Sequence, residues 1–60
     1  MLGRKILVLD TNSTSRNFLA ALLRGKHFTV FEADSGMDAL IKIWRDLPDI
    51  VVFDPALSDI

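Results

Sequence analysis

The sequence predicts an α/β fold, one βαβαβ unit whose three strands run parallel. Three observations predict it. Two apolar runs each end in an aspartate, Lys5-Ile6-Leu7-Val8-Leu9-Asp10 and Ile50-Val51-Val52-Phe53-Asp54. Two intervening segments repeat apolar residues at three- and four-residue spacing, and capping or turn residues stand between the segments.

The run from Lys5 to Asp10 reads as a strand covered on both faces, since alternation with polar residues is missing. Thr11-Asn12-Ser13-Thr14 can cap a helix, because short polar side chains accept the free amide hydrogens of a first turn. In the helix that follows, Phe18, Leu19, Leu22 and Leu23 form an apolar stripe, with Arg24 and Lys26 at the negative end of its dipole. Gly25 is expected to stop that helix in a left-handed conformation. Phe28-Thr29-Val30-Phe31-Glu32-Ala33 mixes β-branched, aromatic and polar residues, which fits a more exposed edge strand. Asp34-Ser35-Gly36 is a turn and cap. Met37, Leu40, Ile41 and Trp44 then keep helical spacing up to Leu47 and Pro48, and are expected to be core. The third strand, Ile50 to Asp54, again reads as buried, and Pro55 ends its pairing.

Sixty residues make one small domain with a thin core, residues 1–60, without an internal repeat or linker. Half the residues are apolar and a quarter charged, the balance of a folded soluble chain. A net charge of −1 gives no field that would draw it to nucleic acid or an anionic membrane. There is no cysteine, so disulfides and thiolate metal sites are excluded. The longest apolar run, Phe18 to Leu23, is far shorter than the ~20 residues of a membrane span, and the start of the chain lacks a signal-peptide core. The cytoplasm is the expected location.

Parallel strands align their carboxyl ends, so Asp10 and Asp54 are expected at one rim, the edge where open α/β sheets bind ligands. Two carboxylates there suit a hard cation such as Mg²⁺, and one of them could act as a nucleophile toward phosphorus. Aspartate at a strand end also serves simply as a cap, and spacing alone leaves both readings open. Other residues have plainer roles. Ser13, Thr14 and Ser35 read as caps, and His27 as a solvated turn residue without a second histidine. Arg4, Lys5 and Arg16 read as surface charges, although Arg16 lies near enough to the rim to attract a phosphate. Gly36 has no glycine-rich companions, which disfavours a nucleotide-binding flavodoxin-like enzyme.

Taken together, Lys5 to Asp10, Asn12-Ser13-Thr14, Glu32-Ala33, Ser35-Gly36 with Ala39-Leu40, and Pro48-Asp49-Ile50-Val51-Val52-Phe53-Asp54 resemble the receiver domain of bacterial two-component response regulators. The resemblance covers essentially the whole chain and corresponds to the family's amino-terminal half. It implies a flavodoxin-like (CheY-like) half-domain with strand order 2-1-3. It further implies that Asp54 is the phosphoacceptor and that a histidine kinase or phosphotransfer protein is the donor. Mg²⁺ would be held by Asp10, Asp54 and the backbone carbonyl of Ala56. Such a module accepts a phosphoryl group and signals; it is not itself expected to be an enzyme.

The departures from the family are informative. A second acid usually follows the first, and here Thr11 stands in its place, offering only a neutral hydroxyl ligand and so weakening the cation site. Pro55 directly after Asp54 alters the approach to the Ala56 carbonyl, and His27 occupies the place of a usual glycine. In the family the third strand is central, so its open side here is expected to be covered by a missing carboxyl-terminal half or by a second copy in a homo-oligomer. The alternative to phosphoryl acceptance is a pseudo-receiver, not phosphorylated, that serves dimerisation or scaffolding.

Overall fold

The computed structural model describes residues 3–53. The chain runs β1 (Lys5–Leu9), α1 (Ser13–Gly25), β2 (Thr29–Ala33), α2 (Gly36–Asp46) and β3 (Ile50–Phe53), the βαβαβ order read from the sequence. The strands form a three-stranded parallel sheet in the order β2-β1-β3, the arrangement of a flavodoxin-like half-domain. Lys5 pairs with Thr29 through Leu9 with Ala33 on one side, and Ile6 with Ile50 through Leu9 with Phe53 on the other.

The central strand explains its own sequence. Ile6, Leu7, Val8 and Leu9 are all buried, alternately facing the two helices. Ile6 and Val8 meet Ala20 of α1 and Val30 of β2, with Leu19, Leu23 and Phe28 packed around them. Leu7 and Leu9 meet Ala33 and Ala39 on the opposite face, with Phe31 and Ile43 alongside. The helices therefore lie on opposite faces of the sheet. Because the chain also steps in opposite directions, from β1 out to β2 and then back across to β3, the two crossovers share one hand.

Local signals set the helix ends. Asn12 caps α1 by accepting the Ser15 amide hydrogen at 3.0 Å, and Ser35 caps α2 by accepting that of Asp38 at 3.1 Å. Gly25 does not stop α1 as expected, since it remains inside the helix and His27 takes the left-handed conformation instead, at φ 71°. The reason is a complete Schellman closure two residues further on. The His27 amide donates to the Arg24 carbonyl at 3.0 Å, the Phe28 amide donates to the Leu23 carbonyl at 3.3 Å, and Phe28 and Leu23 share the same core. Leu47 ends α2 in the same left-handed region, at φ 50°, directly before Pro48.

Three burial expectations are corrected. Met37, Leu40, Ile41 and Trp44 are exposed rather than core; the buried face of α2 is made by Gly36 and Ala39, assisted by Ile43. β3 is exposed along its length, since α1 and α2 pack over β1 and β2 and leave its faces uncovered. Of the α1 stripe, Leu19 and Leu23 pack on the sheet while Phe18 and Leu22 stay exposed. No helix among the described residues is long and apolar enough to cross a membrane.

Candidate functional site

The site begins where β1 ends. Leu9 is bracketed by Ala33 on one side and Phe53 on the other, so three parallel strands finish at one rim. Asp10, the next residue, is half-buried and held from several directions. Its amide donates to the Ala33 carbonyl at 3.1 Å, extending the ladder by one bond. Its Oδ1 accepts the Asn12 amide hydrogen at 2.9 Å, an Asx turn that also sets Asn12 in its capping position. Its carbonyl accepts from Arg16 Nη1 at 2.7 Å. The remaining carboxylate oxygen, Oδ2, has no partner among the described residues.

Arg16 is therefore not the free surface charge that its sequence position suggested. Its side chain is only 17% exposed, lies against the Asp10 carbonyl and stands 3.5 Å from Glu32 Oε1, while Arg24 approaches the other carboxylate oxygen, Oε2, at 3.2 Å. A guanidinium held in this way braces the start of α1 against β2 and fixes the loop that carries Asp10. The i, i+3 and i, i+4 rules used to read helices do not reveal such a bond across the fold, and only the common rim of β1 and β2 brings Glu32 within reach.

Thr11 is exposed at the same loop, next to Asp10. Ser13 and Thr14 lie exposed in the first turn of α1, with the capping role taken by Asn12. Asp34 follows β2 as Asp10 follows β1, and its amide donates to Asp38 Oδ2 at 3.4 Å. His27 is exposed between α1 and β2, at the end of the sheet opposite the rim. Asp54 and Ala56, the expected phosphoacceptor and main-chain ligand, lie outside the described residues, as does Pro55.

The donor chemistry at the rim suits a hard cation weakly held. Asp10 offers a carboxylate oxygen that is unengaged among the described residues and Thr11 is a neutral hydroxyl residue, a chemistry that would suit Mg²⁺ retaining most of its waters. Among the described residues no three His, Cys, Asp or Glu side chains gather as a metal cluster. The opposite end of the sheet is closed by protein groups. The Lys5 amide donates to Asp49 Oδ2 at 2.8 Å, the Asp49 amide donates to the Lys5 carbonyl at 2.8 Å, and Lys5 Nζ reaches the Asp46 carbonyl at 3.1 Å. This clamp sets β3 beside β1 from its first residue.

Comparison with known protein families, curated proteins and solved structures finds no match to this chain.

Proposed function

We propose that the chain is a receiver-type phosphoacceptor module of a two-component signalling system. The supporting observation is the parallel pairing of β1 and β3, with Leu9 opposite Phe53, because Asp10 and Asp54 directly follow those two residues in sequence. In the proposed reaction an Asp54 carboxylate oxygen attacks the phosphorus of a phosphohistidine on a kinase or phosphotransfer protein. The phosphorus–nitrogen bond breaks, the imidazole leaves and takes a proton, and Asp54 carries an acyl phosphate. Asp10, Asp54 and the Ala56 carbonyl would hold Mg²⁺, whose charge offsets that of the phosphoryl oxygens. The chain's own contribution is to fix Asp10 through Ala33, Asn12 and Arg16, so that its Oδ2 keeps its place. The cytoplasm, where such kinases present their phosphohistidine, is the compartment proposed.

A second reading rests on Thr11. A neutral, exposed hydroxyl beside Asp10 gives the rim one negative charge fewer than a paired acid would, which favours an interaction module that is not phosphorylated. One experiment separates the two. Incubation with a small-molecule phosphodonor and Mg²⁺, followed by intact mass, is expected to add one phosphate, and Asp54→Asn is expected to abolish the increment. A folded sample that gains no mass supports the second reading.

A further inference from the structure

Both helices turn their polar flanks toward β2. Arg24 Nη2 donates to the Val30 carbonyl at 3.0 Å from one face, and Lys42 Nζ donates to the Glu32 carbonyl from the other. The Thr29 amide donates to Arg4 and the Ala33 carbonyl accepts from Asp10, so residues 29 and 33 face β1. By alternation the Val30 and Glu32 carbonyls face outward. The β2 edge is thus covered by two cations, a usual guard against edge pairing.

The other side is different. With Lys42 over β2, the opposite flank of α2 looks across to β3 without packing on it, and Leu9, Ala39, Leu40, Ile43, Val51 and Phe53 line the apolar groove of about 370 Å³ left between them. At ~100° per residue the apolar sector of α2 continues from Leu40 through Trp44 and Met37 to Ile41, which projects nearly opposite the buried Gly36–Ala39–Ile43 face. Trp44 is 82% exposed, Met37 69% and Ile41 56%. A helix in an ordinary outer layer turns polar residues outward, so this helix is built to be covered on its outer side as well as its flank.

The geometry points to an isologous dimer in which the α2–β3 faces of two copies pack together, each α2 lying over the partner's β3 groove. The two α2 helices then form one middle layer between two sheets. This occupant accounts for Ile41 and Met37 as well as for Val51 and Phe53. An added strand at the β3 edge, or a helix laid only along the groove, leaves the outer face of α2 bare. Weighted by their exposures, the six side chains of Met37, Leu40, Ile41, Trp44, Val51 and Phe53 present on the order of 700 Å². That is close to the ~800 Å² that each partner buries in a standard interface. The rim is polar, with Arg45 paired to Asp46 at 2.8 Å, and a net charge of −1 per copy gives little repulsion.

The inference does not depend on phosphoryl transfer. Sedimentation velocity of the full 60-residue chain at about 100 µM is expected to show a dimer. Ile41→Asp and Met37→Lys, both at exposed sites, are each expected to raise the dissociation constant at least tenfold while circular dichroism stays unchanged. Phe18→Asp on α1 is expected to leave it unaltered. A folded monomer at that concentration would overturn the proposal. So would a dimer lost in Phe18→Asp and kept in Ile41→Asp, or an assembly larger than two.

Discussion

His27 holds a left-handed backbone conformation, at φ 71°, because the Schellman closure of α1 requires it and not because of its side chain, which is exposed. A side chain in that region costs about 1 kcal/mol or more, and glycine avoids most of it. His27→Gly is therefore expected to raise stability by about 0.5–1 kcal/mol in urea titration, and His27→Val to lower it by about 1 kcal/mol or more, since a β-branched residue tolerates positive φ least. Equal midpoints for the two variants would contradict the cap. Asp10 is the residue on which the rim turns. Its carboxylate shares one oxygen with the Asn12 amide, so the loop positions the acid and the acid in turn positions the helix cap.

Among the elements, α2 has the sharpest division of labour. Asp38 pairs with Lys42 one turn on, at 3.0 Å, and the hydrogen bond from Lys42 holds its carboxyl below the ordinary value of 3.8. Asp46 is lowered in the same way, mainly by its hydrogen bond from Arg45. A value lower in the folded chain means that the unfolded chain takes up the proton first. The contribution is complete above the ordinary value of 3.8 and is lost as pH falls through the lower folded values. Both carboxyls are paired within reach of solvent, the Asp38 side chain 30% and that of Asp46 17% exposed, so the loss is expected to be small and to shrink with added salt. Urea midpoints at pH 5 and pH 2.5 measure it, and Lys42→Gln is expected to flatten the difference. The two faces of the sheet give a second contrast. Replacing both Arg24 and Lys42 with alanine removes the cations that cover the Val30 and Glu32 carbonyls, and light scattering is expected to rise faster on concentration than for the parent chain. Unchanged scattering would mean that these bonds do not guard the edge.

At the level of the whole molecule, the element order and the central strand were legible in the sequence. Ile6 to Leu9 form an unbroken apolar run because helices cover both faces of that strand, and short polar clusters at Asn12 and Ser35 mark the caps. Burial in α2 and β3 was not legible. Periodicity shows that Met37, Leu40, Ile41 and Trp44 share a sector of the helix, but not which sector meets the sheet; small Gly36 and Ala39 lie closest to it and the large residues face away. Likewise the run from Ile50 to Phe53 records what the strand is suited to lie beneath, while the two helices of this chain lie elsewhere. The rim was legible in part, since the parallel register brings the ends of β1 and β3 together, but the Arg16 brace links residues whose closeness depends on the completed sheet. The proposed phosphoacceptor role requires that the rim shared by β1 and β3 bind a cation. Titration with Mn²⁺ as a paramagnetic stand-in for Mg²⁺, followed by amide resonances, tests it directly. Selective broadening of Asp10, Thr11 and the residues following Phe53 is expected, and is expected to fall in Asp10→Asn. Broadening centred instead on Asp46 and Asp49, at the far end of the sheet, would contradict it.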